Sequence, residues 1–200
     1  MLLNIISILI GIIGIVLSAI SILLFLKEKQ KNRTIYWKDI PVAAGSLSEK
    51  IRKEFNPDII LIPNEKGGVV ANFFKKSFPK YINCIFGVGI PIKRINTSET
   101  NFISNDFYFF KTQKWYAYIP KYISHYNDKR ILIIDDFAMT GDFLIELKRT
   151  LINHAGFEEQ NIKTMCIATT EFAVANEKSP DYYWKKFDSS KVYLPWGRPE

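Results

Sequence analysis

Two adjacent carboxylates close an apolar run: Ile131-Leu132-Ile133-Ile134 leads into Asp135-Asp136-Phe137-Ala138-Met139-Thr140-Gly141-Asp142. The four apolar residues have the length and composition of a buried parallel strand. Asp142 to His154 then carries helical spacing, with Gly156 placed to cap its end. The turn between them falls where open parallel sheets bind ligands, at the carboxyl ends of strands. Free N–H groups of the turn and the helix start can surround a phosphate. Gly141 allows close backbone approach, and Thr140 offers a hydroxyl donor to the same anion. The acids would repel that anion directly. They suit sugar hydroxyls, or a Mg2+ ion shared with phosphate oxygens. A diol beside a phosphate is ribose 5-phosphate chemistry. A phosphoryl-receiver domain also places an acid pair after a strand, but it needs a phosphorylatable Asp after a later strand, and none follows here.

The elements that must position this turn are legible on either side. Leu47, Ile51 and Phe55 share a helix face within Ser46 to Phe55, and Asn56-Pro57-Asp58 breaks it. Ile59 to Ile62 reads as a buried strand. Gly67-Gly68 follows as a loop, then a helix from Val69 to Ser77 stopped near Pro79, then a second strand within Tyr81 to Val88. Asn96 to Asn127 interrupts the alternation. Within it, Phe107–Phe110 and Trp115–Ile119 read as strands around the polar turn Lys111–Lys114, an inserted hairpin. Ile162 to Ala168 is a further strand, and Tyr182 to Pro195 is aromatic-rich and irregular, a cap over one sheet end. The order β-α-β, insertion, β-α-β predicts an α/β fold, a mostly parallel sheet with helices on both faces.

The chain has 200 residues and a formal net charge of +7, with no low-complexity run or internal repeat, which excludes solenoids and disordered tails. The basicity suits a nucleic acid, an anionic membrane surface or a phosphorylated small molecule. Cys84 and Cys166 each lie in an apolar run and read as buried free thiols; no Cys/His spacing suggests zinc. Residues 1–26 carry no side-chain charge, and Ile5 to Leu26 is long enough to cross a bilayer core of about 30 Å. The basic residues Lys27, Lys29, Lys31 and Arg33 come after this span, which predicts an N-terminus outside and a cytoplasmic remainder. Residues 27–35 form a basic juxtamembrane linker and residues 36–200 a single domain. Asn4, Ser7, Gly11, Gly14, Ser18 and Ser21 recur at steps of three and four, a small-residue face suited to a homo-oligomer or a partner membrane helix.

The stretch from Ile131 to Asp142 resembles the phosphoribosyl-diphosphate (PRPP) motif of the type I phosphoribosyltransferases: apolar strand, Asp-Asp, a short turn, Thr-Gly, helix. Pro57–Ile62 followed by Lys66-Gly67-Gly68 is similar to the family's first strand and pyrophosphate loop, with Lys66 where Arg is usual. Trp37–Ile40 resembles its N-terminal segment. Pro180–Tyr183 and Leu194–Trp196 resemble the C-terminal hood of the xanthine–guanine branch. The match runs from Tyr36 to Gly197 in order. It implies transfer of phosphoribose from PRPP, carried with Mg2+, to a nucleobase or related acceptor, with release of pyrophosphate. By motif, the resemblance makes Asp135 and Asp136 the catalytic candidates, holding ribose hydroxyls and meeting the metal only through PRPP. Ala138, Met139, Thr140, Gly141, Asp142 and Phe143 would hold the 5-phosphate, Lys66, Gly67 and Gly68 the pyrophosphate, and Tyr193 or Trp196 the base. The family's mobile loop corresponds to the Asn96–Asn127 insertion. A nucleic-acid partner is not expected. Besides Lys66, three positions depart from the pattern: Phe143 stands where the family has Ser or Thr, Asp142 where it commonly has Gly, and Lys191 where the purine branch has a stacking Trp. An alternative is a non-catalytic PRPP- or nucleotide-sensing module coupled to the membrane helix, for example a stress or defence effector.

Overall fold

The structure, a computed structural model, describes residues 2–78, 83–92, 105–188 and 191–197, with side chains outside 2–10 and 29–32. The helix stop expected near Pro79, the first residues of the second strand candidate, residues 96–104 of the insertion and the Ser7 side chain lie outside what is described. The chain divides into two units, Met1–Thr34 and Ile35–Glu200.

The first unit holds one helix, α1 (Leu2–Asn32), which continues into the stretch expected as a linker, as far as Asn32. Its Gly11–Glu28 window has a mean hydropathy of 2.0 and none of it is buried within the structure, so α1 is long and apolar enough to cross a membrane. Two of the small-residue-face hydroxyls bond back to their own helix, Ser18 Oγ to the Gly14 carbonyl (2.8 Å) and Ser21 Oγ to that of Leu17 (3.0 Å). No atom lies near a Cβ built at Gly11 or Gly14.

The second unit is an α/β domain. Its main sheet contains β1 (Ile59–Ile62), β2 (Asn83–Phe86), β6 (Ile131–Ala138), β7 (Ile162–Thr170) and β8 (Tyr182–Phe187), in the order β2-β1-β6-β7-β8, every pairing parallel. The helices α2 (Ile40–Glu54) and α3 (Glu65–Phe74) pack on one face with Ile60, Ile62, Leu132 and Ile134. On the other face Ile59, Leu61, Ile131 and Ile133 meet α4 (Asp142–Ala155). These even and odd sets are the two sides of a pleated strand buried on both faces, which is why the strands are continuously apolar. A short helix, α5 (Glu171–Ala175), follows β7. The inserted hairpin is present as β4 (Phe107–Lys111) and β5 (Trp115–Pro120), and β5 also pairs with β3 (Val88–Pro91) in a separate antiparallel sheet, order β3-β5-β4. The second strand candidate is thus two strands in two sheets. Gly87 makes the switch: its N–H donates to the Ile62 carbonyl (2.8 Å), and a side chain there would sit 2.7 Å from Ile119 Cδ1.

Three expectations differ from the structure. Tyr182 to Phe187 is an edge strand, not an irregular cap. Lys185 and Lys186 obscure its apolar pattern, and lysines are what an exposed sheet edge tolerates. β6 is eight residues long rather than four, because β7 keeps pairing with it to Ala138↔Thr169. Finally, Lys66, Gly67 and Gly68 are not in a loop but in the first turn of α3, capped by Asn64, whose side chain accepts from the Gly67 N–H (2.8 Å).

The two glycines of that turn do different work. A Cβ on Gly67 would lie 2.5 Å from the Ile134 carbonyl oxygen and 3.2 Å from Asp135 Cα, whereas one on Gly68 would meet only Ile62 Cγ2 at 3.8 Å. Gly67 therefore sets how closely α3 approaches β6. We expect Gly67→Ala to destabilise the chain by about 1–3 kcal/mol through overpacking against backbone. Gly68→Ala should be neutral or stabilising by up to about 1 kcal/mol, from helix propensity alone. Thermal melts of the two purified variants check the contrast.

Candidate functional site

The cleft lies where two ladders part company. β1 pairs with β6 only as far as Leu61↔Ile133, while β7 accompanies β6 five residues further. Past Ile133 the β1 side of β6 is open, and Asp135 and Asp136 occupy that stretch. A cavity of about 480 Å³ forms there, walled by Asn64–Lys66, by β3, by the hairpin turn Thr112–Trp115 and by Asp135–Leu144.

Both acids are inside the strand, only 6% and 5% exposed, so pleating sends them to opposite faces. Asp135 Oδ1 accepts from Asn64 Nδ2 (2.8 Å) and from the Asp136 N–H (2.8 Å). Asp136 Oδ2 accepts from Trp196 Nε1 (2.8 Å). Burial, reinforced by the neighbouring Asp136 charge, pushes the Asp135 carboxyl up to about 7. Burial also raises Asp136, against the pull of the Trp196 hydrogen bond and the Lys66 charge. The pair is thus held by neutral donors, with the Lys66 charge acting on Asp136, an arrangement that favours the protonated form of Asp135.

The turn after β6 is three residues, Met139-Thr140-Gly141, and opens directly into α4. Gly141 has φ +79°, a conformation that glycine adopts without strain. A Cβ there would also overlap the Lys178 carbonyl. The neighbouring strand fixes the turn's carbonyls: Thr169 Oγ1 donates to that of Ala138 (3.1 Å) and Thr170 Oγ1 to that of Met139 (2.6 Å). Asp142, the first residue of α4, pairs with Lys178 Nζ (2.7 Å), which holds its carboxyl below the usual range. Phe143 packs its ring against Phe110 (5.4 Å) and Trp115 (5.8 Å), fastening the hairpin to the start of α4. That contact explains an aromatic residue where a hydroxyl is usual.

Of the residues expected at the site, Asp135, Asp136, Lys66 and all of Ala138 to Phe143 line one cleft. Gly67 and Gly68 do not. Their N–H groups bond to Asn64, Gly67 to Oδ1 and Gly68 to the carbonyl (3.1 Å). Tyr193 and Trp196 also lie outside the lining; Trp196 reaches Asp136 and stacks edgewise on Trp37 (5.9 Å). Asn64, Lys114, Trp115 and Lys178 were missed. Asn64 was recoverable, since an Asn just after a strand and three residues before Gly67 fits a helix cap. Lys178, 36 positions from Asp142, left no local signal. Among the described residues no cluster of three or more His, Cys, Asp or Glu could hold a metal by itself.

No protein-family model matches the sequence, and no curated protein matches it either. Solved structures do match the fold. The chain is similar to a purine phosphoribosyltransferase from Pyrococcus horikoshii Ot3, with a TM-score of 0.59 and 22% identity over 84% of this chain and 95% of that one. It is similar to a xanthine-guanine-hypoxanthine phosphoribosyltransferase from Helicobacter pylori (TM-score 0.55, 12% identity, 82% and 93% covered). A Neisseria gonorrhoeae protein with bound ppGpp is also similar (TM-score 0.56, 15% identity, 82% and 89% covered). The second unit therefore has the phosphoribosyltransferase fold.

The raised Asp135 carboxyl has a measurable consequence. Its ionisation opposes folding, so the penalty is absent below the ordinary carboxylate range and grows as pH rises toward about 7. Asp135→Asn keeps an oxygen for Asn64 and Asp136 but removes the charge. Its melting temperature should exceed wild type by at least about 3 °C near pH 8, at about 2–4 °C per kcal/mol, and the gap should close near pH 4.

Proposed function

We propose that this chain is a membrane-anchored protein that binds PRPP and transfers its 5-phosphoribosyl group to a nucleobase or related acceptor. One observation carries the reading: a three-residue turn that opens into the N-terminus of α4 beside two buried acids, inside one cleft. The turn's N–H groups and the Thr140 hydroxyl would take the 5-phosphate, aided by the helix dipole. Asp135 and Asp136 would take the ribose hydroxyls. Lys66 would take the pyrophosphate as a point charge, and first, because the Gly67 and Gly68 amides are already engaged. In the transfer, the anomeric carbon–pyrophosphate bond breaks and pyrophosphate leaves with its electron pair, the acceptor nitrogen's lone pair forms the new bond, and the acceptor's N–H proton passes to solvent. The residues here position the sugar and balance its charge. Mg2+ brought with PRPP would supply positive charge to the leaving pyrophosphate, and Asp135 and Asp136 would meet it only through PRPP.

The apolar helix α1 would anchor the chain, with the basic run Lys27 to Arg33 keeping the domain on the cytoplasmic side. Ser7, Gly11, Gly14 and Ser18 would form the face that meets another helix. A second reading, a nucleotide sensor without turnover, is favoured by the ppGpp-bound fold relative and by the loss of the usual hydroxyl at Phe143.

Titration of the purified full chain with PRPP and Mg2+, with pyrophosphate release measured across a panel of bases, separates these readings. Turnover supports the transferase, binding without turnover the sensor, and absence of binding contradicts both. Asp136→Asn, which retains an acceptor for Trp196, should weaken PRPP binding by about 1–3 kcal/mol. An unchanged affinity would remove Asp136 from the site.

A further inference from the structure

The geometry points to Lys178 as a positioning residue that cancels the charge of Asp142 and so keeps the Met139–Gly141 turn able to bind a phosphate. The inference rests on the proposed sugar-phosphate site and adds a residue that the motif does not contain.

Asp142 is the problem to be solved. It is the first residue of α4, adjacent to Gly141, and it lines the cleft. A carboxylate in the first turn of a helix takes up the same positive end that a bound phosphate needs. It also faces the incoming anion with a like charge. A turn built this way should reject the ligand that its backbone is shaped to hold.

Lys178 answers from two directions. Its Nζ lies 2.7 Å from Asp142 Oδ1, and its own carbonyl lies against Gly141, on the side where a Cβ would otherwise be. The segment that brings it there is fixed. The Thr170 hydroxyl accepts from the Ala173 N–H (3.0 Å) and caps α5. Glu177 then takes φ +57°, in the left-handed region, and the Lys178 N–H closes the turn on the Ala173 carbonyl (2.8 Å). A non-glycine residue holding that backbone marks a turn kept for its direction. Just before this segment, the last two residues of β7 supply the Thr169 and Thr170 hydroxyls that hold the Ala138 and Met139 carbonyls. The end of β7 thus fixes the carbonyls at the start of the turn, and the peptide after it neutralises the acid at the turn's end.

The pair is about half exposed, at 44% and 48% for the two side chains, so it contributes little to folding. Its effect belongs to the ligand. The test is a charge cycle read by calorimetric titration of the full chain in detergent with ribose 5-phosphate, which needs only this subsite and the acids. Lys178→Met should weaken binding roughly fivefold to twentyfold, the effect of exposing one negative charge near the phosphate. Lys178→Arg should bind as wild type does. The double variant Asp142→Asn/Lys178→Met should recover to within about threefold of wild type, because no charge is left to cancel. A purely structural role for Lys178 would leave the double variant as weak as the single one, and that result overturns the inference. So does Lys178→Met binding like wild type. If wild type itself does not bind ribose 5-phosphate, the underlying site assignment falls instead.

Discussion

Two carboxylates side by side in a central strand are costly to bury, and the domain is arranged around that cost. The termination of the β1 ladder at Ile133 makes room for them, while β7 keeps β6 extended. Asn64 joins the two strands' ends: with one side-chain atom it caps α3, and with the other it holds Asp135. Gly67 lets α3 lie directly on β6, which brings Lys66 to the cleft. Trp196 satisfies Asp136 from the opposite face and ties the last described residues of the second unit to Trp37 near that unit's start. Each feature is a local response to the same electrostatic demand.

The charges around the cleft are laid out with the same economy. The acid pair is held by the neutral donors Asn64 and Trp196, with the Lys66 charge acting on Asp136. Asp142, by contrast, is fully matched by Lys178. On the proposed reading, the acids would take hydroxyls and the turn an anion. The proposed substrate, a phosphorylated sugar carrying a diphosphate, would meet both requirements. Trp115, Phe143 and β3 line the same cleft.

The fold class was legible because the strands are short, wholly apolar and separated by helical periodicity. The acid pair and its turn were legible for the same reason, being contiguous. What escaped was whatever depends on pairing partners. The length of β6 is set by β7, so Asp135 and Asp136 could not be placed inside the strand from their own neighbourhood. β8 hides behind two lysines, since its outer edge faces solvent. Lys66 to Gly68 looked like a loop because two glycines are poor helix formers; the Asn64 cap and the packing of Gly67 on Ile134 override that preference. Phe143 looked like a loss until the hairpin showed what it holds.

The proposed activity requires that main-chain N–H groups between Met139 and Phe143 bind a sugar phosphate. Hydrogen–deuterium exchange of the full chain, with and without saturating ribose 5-phosphate, reads those groups directly. The account predicts slowed exchange in the peptide spanning residues 138–143, with α1 unchanged. Saturation without added protection in that peptide would contradict it.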